Sequence, residues 1–301
     1  MRNAFSEQLY VEAIKSKDIY IVVSDISPVG SMDNFSKKYP ERFLNVGVAE
    51  QSMIGIAAGL ALKGKIAFAY TIATFSLFRP FEMVRVDLCY QNLPVTVVGM
   101  GAGVIYSTLG GTHHTMEDIA ITNALPNMRI LAPCDPNETK IITSFCARQK
   151  DGPIYLRLGK AGEPNLTEEA DEWQFGKLRY LRKGKSTCII SYGLTCSLAL
   201  QLSDTLDKGR SSVVNCHTIK PLDEDGVKKI LKDYKRVIVI EEMVYSGSLS
   251  SRVESLAWKV QSKSALSVFT LKDQFIHCYG SHSELLEKHG ISVSEILKKI
   301  K

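Results

Sequence analysis

Apolar residues in the first half of the chain gather in short unbroken runs at 19–23, 65–70, 95–99 and 154–158, rich in β-branched and aromatic side chains. Runs without polar alternation predict strands covered on both faces, as in a parallel sheet with helices on either side. Between them the spacing predicts helices over 4–16, 49–63, 81–91 and 137–149. This βαβα alternation predicts a doubly wound α/β domain over residues 1–162. From about residue 160 the character changes, with Gly162, Pro164, Gly176 and Gly184 scattered among charges, and 163–185 are expected to form a linker. The pattern then restarts: strands at 187–191, 212–216, 236–240 and 267–269, and helices at 196–206, 223–232 and 248–260, predict a second, smaller α/β domain over 186–301.

The 301 residues match the size of about two domains. With 45% hydrophobic and 23% charged residues the chain has the material for buried cores and an ordinary soluble surface. Its net charge of +5 is spread over small clusters, the densest a terminal Lys298-Lys299 with Lys301, so no nucleic-acid surface is expected. Seven cysteines without a C-x-x-C pair, several in apolar runs, predict buried free thiols in a reducing compartment. Residues 1–16 hold no apolar signal core, and no apolar run reaches membrane-spanning length, so a cytoplasmic protein without membrane association is expected.

Candidate chemistry starts at Gly47-Val48-Ala49-Glu50-Gln51, where one carboxylate sits among small and apolar residues ahead of the apolar stretch 53–62. Burying it is costly unless it shares a proton or meets a polar partner, the condition an acid/base role requires. The plain alternative is an acidic residue favoured by the dipole at a helix start. Farther on, Phe75, Phe78 and Phe81 recur every third residue, which places them on roughly one side of a helix or turn; such a stripe also serves as ordinary core. His113-His114 follows Gly110-Gly111-Thr112 in a loop-like segment, and no His or Cys cluster at ligand spacing accompanies it, so no metal site is expected. Gly99-Met100-Gly101-Ala102-Gly103 has G-x-G-x-G spacing and reads as a strand-end turn rather than a dinucleotide fingerprint.

These segments occur in order with Asp25-Ile26-Ser27-Pro28, Leu125-Pro126-Asn127-Met128, Pro133-Cys134-Asp135-Pro136-Asn137-Glu138-Thr139, Ile219-Lys220-Pro221-Leu222-Asp223, Glu241-Glu242 and Gly247-Ser248-Leu249. Together, over most of the chain, they resemble the transketolase family of thiamine diphosphate enzymes, as its pyrimidine-binding domain followed by its C-terminal domain. The resemblance implies that Glu50 hydrogen-bonds N1′ of the cofactor's aminopyrimidine and favours the 4′-imino tautomer, whose nitrogen removes the thiazolium C2 proton. It implies that Phe75 stacks on the aminopyrimidine, that Phe78 and Phe81 line the pocket, and that Asp25 is a further cofactor contact. His113 matches the family histidine that hydrogen-bonds the donor sugar, while His114 faces elsewhere. Lys160 stands about where the family often has a phosphate-gripping Arg, and a Lys there is a point charge without the bidentate fork. Arg2 is a second candidate for an anionic substrate, among cations that include Arg79, Arg85 and Arg157.

A complete enzyme of this family also has a diphosphate-binding domain with Gly-Asp-Gly and a later Asn that hold Mg²⁺, and no Gly-Asp-Gly occurs in this chain. The resemblance therefore implies the C-terminal subunit of a split transketolase. A partner, homologous to the N-terminal half, supplies the Mg²⁺ and diphosphate ligands in an α₂β₂ assembly. The substrates implied are a ketose donor, of which a two-carbon ketol unit is transferred, and an aldose acceptor, either of them sugar phosphates. Two departures bear on the sugar: Leu109 stands where transketolases usually have an Asp, and Gly101 where they have a further His. Losing both removes partners that reject sugars lacking the matching hydroxyls. A 1-deoxyxylulose-5-phosphate synthase-like activity, the beta subunit of a 2-oxoacid dehydrogenase and a non-catalytic scaffold subunit remain alternatives.

Overall fold

The computed structural model describes residues 1–26, 31–168 and 173–300. Ser27 and Pro28 of the motif at Asp25, residues 169–172 of the expected linker and Lys301 lie outside the described residues. Two sheets organise the chain. The first holds β1 (Ile19–Val23), β2 (Phe43–Asn45), β3 (Ile66–Ile72), β4 (Val95–Met100), β5 (Arg129–Leu131) and β6 (Ile154–Leu158). The second holds β7 (Arg179–Arg182), β8 (Thr187–Ser191), β9 (Ser212–Asn215), β11 (Arg236–Val244) and β12 (Ala265–Leu271), while β10 (Thr218–Lys220) returns to the first.

The spatial order of the first sheet is β10-β5-β6-β4-β3-β1-β2, and that of the second is β12-β11-β8-β9-β7. All pairings are parallel except β10 with β5 and β7 with β9. Every residue of β4, β6 and β8 is buried, as expected for parallel strands with helices on both faces. Side chains alternate between two apolar clusters as the pleat requires. Val95 and Val97 join Met53, Ala67 and Ala69 on one face, while Val98 joins Phe5, Leu9, Ile21 and Phe68 beneath helix Arg2–Lys15 on the other. The first of these clusters runs on into the second sheet through Ile189, Ile190 and Val239.

Buried charges cross between the two halves. Arg157 on β6 donates from Nε to Asp118 Oδ2 at 2.8 Å and from Nη2 to the carbonyl of Glu242 on β11 at 3.0 Å. Glu138 accepts from Arg179 Nη1 at 3.1 Å and from Asn215 Nδ2 at 2.7 Å. Arg157 is 6% exposed and committed to this junction, so it is not one of the cations open to a substrate. Among the described residues no helix is long and apolar enough to cross a membrane, and the seven cysteines are free thiols, all but Cys278 buried.

Candidate functional site

Parallel strands send the loops that leave their carboxyl ends to one edge of the sheet, the edge where open α/β sheets bind ligands. Asp25 follows β1, Glu50 follows β2, Phe75 follows β3, His113 lies in the loop after β4 and Lys160 follows β6. The topology alone therefore collects candidates that are far apart in sequence.

Glu50 is delivered by a tight turn. Asn45 ends β2, and its side-chain oxygen accepts the N–H of Gly47 at 3.0 Å and of Asp25 at 3.3 Å. Gly47 has φ 68, which glycine adopts without a Cβ penalty. Ala49 then caps helix Glu50–Leu62, and Glu50, 4% exposed, is its first residue. Glu50 Oε1 accepts from Arg79 Nη1 at 2.8 Å, so the buried carboxylate has a polar partner. Asp25 lies exposed at the rim.

The three phenylalanines have different surroundings. Helix Ala73–Leu77 ends in a turn through Pro80, and Phe81 opens a new one that passes into π-helical Val84–Tyr90. Phe78 still belongs to the helical turn of Phe75, donating its N–H to the Thr74 carbonyl at 3.0 Å, and Pro80 interrupts the register only ahead of Phe81. Phe75 is half-buried, carries the Arg79 guanidinium 4.4 Å from its ring centroid and meets His113 at 5.3 Å. Phe78 lines a separate cavity of about 320 Å³ with Thr74, His114 and Phe275, and Phe81 packs against the core.

The glycines after β4 make room for two larger groups. At Gly101, φ 71, a Cβ would lie 2.1 Å from Tyr106 Cε2, and at Gly103, φ 75, it would lie 2.3 Å from Glu242 Oε1. Tyr106 thus fills the space into which a side chain at 101 would project. Its ring centroid lies 6.1 Å from that of His113, and Lys160 Nζ lies 5.1 Å over its face. Burial raises the Tyr106 pKa, against the opposing charge of Arg2. Arg2 donates its backbone N–H to the Lys160 carbonyl at 3.3 Å, and its buried Nε has no partner among the described residues. His113 Nδ1 lies 2.9 Å from Thr112 Oγ1. His114 is buried, and desolvation holds its pKa below the ordinary histidine range. Glu50, Arg79, Phe75, His113, Tyr106, Lys160 and Arg2 therefore form one strip. In the sequence Arg79 is only one of several cations, and Tyr106 carries no signal; both enter through contacts that span the loops.

Glu242 links the strip to the second half. Its Oε1 accepts the Val104 N–H at 2.5 Å and lies 2.9 Å from His282 Nε2. Replacing Gly103 by Ala is expected to destabilise the chain by about 1–3 kcal/mol through strain at positive φ, with a further cost from the displaced carboxylate, measured by denaturant unfolding. A change below about 0.5 kcal/mol would show that the loop accommodates a side chain.

The His282–Glu242 pair also predicts a pH dependence. Burial lowers the His282 pKa, but Glu242 outweighs it and the net shift is upward from 6.5. Burial likewise raises Glu242, yet His282 and Arg157 bring its net shift below 4.5. A raised histidine stabilises fully below its unfolded pKa, and the effect fades as pH rises through the folded value. The carboxylate's contribution is complete above its unfolded pKa. Wild type should therefore exceed His282→Gln in stability most clearly between about pH 4.5 and 6.5, with the gap narrowing at higher pH. A gap that widens with alkali contradicts the pairing.

Sequence-family models match in two places: the transketolase pyrimidine-binding domain over residues 1–163 and the transketolase C-terminal domain over residues 176–296. The chain is 33% identical to one subunit of the apulose-4-phosphate transketolase of Actinobacillus succinogenes, over 96% of this chain and 93% of that protein. It is 35% identical to a putative transketolase C-terminal section of Methanocaldococcus jannaschii, over 100% of this chain and 95% of that protein. Among solved structures it is similar to one described as a split gene transketolase, inactive beta4 tetramer. That match has a TM-score of 0.86 at 29% identity, covering 99% of this chain and 95% of the other.

Proposed function

Because the chain belongs to the transketolase family, we propose that it is the C-terminal subunit of a split transketolase-type enzyme. That enzyme transfers a two-carbon ketol unit from a sugar or sugar-phosphate ketose to an aldose, with thiamine diphosphate. The observation that carries this reading is Glu50, buried at the carboxyl edge of the sheet within one strip with Phe75 and His113.

The residues fit the cofactor's pyrimidine. A flat ring with a basic nitrogen needs a carboxyl group at its edge and an apolar surface at its face. One planar cation, Arg79, already touches both Glu50 and Phe75. When bound, thiamine diphosphate supplies the nucleophilic carbon that adds to a ketose carbonyl and holds the electron pair left as C2–C3 breaks. This chain's side chains orient and move protons. Glu50 holds a proton against the ring nitrogen, in a setting that limits water. Phe75 contributes burial and a stacking term of about 0.5–1.5 kcal/mol. His113 donates a hydrogen bond to the donor's oxygen where charge develops. Lys160 and Arg2, beside Tyr106, hold the anionic end of a sugar phosphate. Asp25 at the rim, Phe78 and Phe81 are weaker candidates for the cofactor pocket, since the latter two face a side cavity and the core.

The diphosphate and its Mg²⁺ belong to a partner subunit of the N-terminal type, in an α₂β₂ assembly. A relative described as one subunit of a transketolase and a solved relative described as an inactive beta4 tetramer, each covered over more than nine-tenths of its length, support this division. Mixing the chain with a Gly-Asp-Gly-bearing partner should restore Mg²⁺-dependent thiamine diphosphate binding and ketol transfer from ketose phosphates. Turnover of 2-oxoacids but not ketoses would move the assignment to the 2-oxoacid dehydrogenase branch, and cofactor binding without turnover of either would leave a scaffold.

A further inference from the structure

Arg79 makes, from one side chain, the two contacts that a cofactor pyrimidine requires. Its Nη1 donates to Glu50 Oε1 at 2.8 Å, and its guanidinium carbon lies 4.4 Å from the centre of the Phe75 ring. A guanidinium is planar and donates from its edge, so its one Nη1–H bond to Glu50 and its flat face on Phe75 copy the single ring N–H and the face of a protonated aminopyrimidine. The coincidence is local: Arg79 follows Phe75 by one helical turn, which places it over the ring before the chain turns away at Pro80.

We infer that Arg79 competes with the aminopyrimidine for Glu50 and Phe75 and is displaced when the ring binds. The inference rests on the thiamine diphosphate reading above. Without Arg79 or the ring, Glu50 would be a carboxylate 4% exposed and without this partner, and such a group is costly to bury. The Arg79 side chain is 47% exposed, so it has solvent to move into and regains hydration as it leaves. Glu50 and Phe75 exchange one planar partner for another, and the acid is never stranded. The same exchange makes Arg79 a competitor of the cofactor, so it weakens apparent affinity while it keeps Glu50 paired. It is a positioning residue, acting through Glu50.

The test is calorimetric titration of the reconstituted pair with thiamine diphosphate and Mg²⁺. Arg79→Met should tighten the dissociation constant by about tenfold, equivalent to ~1.4 kcal/mol, while lowering the thermal midpoint of the cofactor-free chain. Arg79→Lys, which keeps the charge but loses the plane, should fall between. In a Glu50→Gln background the effect of Arg79→Met on affinity should shrink to within about twofold, because the pair it breaks is already neutralised, a coupling that a merely structural role does not produce. Weaker binding by Arg79→Met, or an unchanged constant, overturns the competition. If the wild-type pair binds no thiamine diphosphate, the cofactor reading itself fails; Glu50-dependent binding that ignores Arg79 sinks the inference alone.

Discussion

Glu50→Ala, assayed with the partner subunit present, is expected to lower turnover at least about a hundredfold, on the order of 3 kcal/mol or more in the barrier. The size follows from where the carboxylate sits. It is the first residue of its helix, buried, with its neighbours small or apolar, so water is poorly placed to take over its proton. If the proposed role is acid/base rather than packing, Glu50→Gln, which keeps the shape, should lose nearly as much activity while leaving the unfolding midpoint close to wild type. A loss of about tenfold or less in both variants would remove Glu50 from the chemistry. A large loss in Glu50→Ala with a nearly normal Glu50→Gln would make the residue a structural anchor for Arg79.

The second large effect is on folding. Asp118 is fully buried, and its Oδ2 accepts both Arg157 Nε and the Tyr155 hydroxyl, each at 2.8 Å. Burial disfavours the charge on Arg157, and Asp118 more than restores it, so the guanidinium stays ionised. Asp118→Ala leaves that cation buried without its counterion, which costs about 3–5 kcal/mol. The melting temperature should fall by roughly 5–15 °C at the few degrees per kcal/mol typical of larger domains. Because Arg157 also donates to the Glu242 carbonyl, the loss should loosen the junction between the halves, and limited proteolysis of the connection ahead of β7 should accelerate. A shift under about 2 °C would mean that the site relaxes or hydrates the cation.

What could be seen in the sequence was set by periodicity. The fully covered strands announced themselves because uninterrupted β-branched runs have few other uses. β2, β5 and β10 are three residues each, shorter than any period can register. The aromatic stripe is a three-residue repeat, helical only while the helix continues: it holds from Phe75 to Phe78, and Pro80 breaks it ahead of Phe81. Glu50 and His113 were legible as isolated polar residues in small or glycine-rich surroundings, with roles lent by a family resemblance. The Glu50–Arg79 pair was not, since its members are 29 positions apart and meet only where the loops after β2 and β3, two strands separated by β1, reach the same sheet edge. Gly101 shows the reverse case. Its missing side chain was visible, but the ring of Tyr106 that fills the gap follows from how the loop closes.

The antiparallel strand Thr218–Lys220 reaches back across the expected boundary to complete the first sheet beside β5. An exposed edge invites pairing with other chains. During synthesis the N-terminal half therefore waits on the ribosome with one flank bare until residue 220 has emerged, and a fragment cut at the linker would keep that flank sticky for good. Genetic dissection of this subunit at its apparent seam is thus expected to yield an aggregating piece, whereas the whole chain, which keeps both Thr218–Lys220 and β11 in place, should remain dispersed.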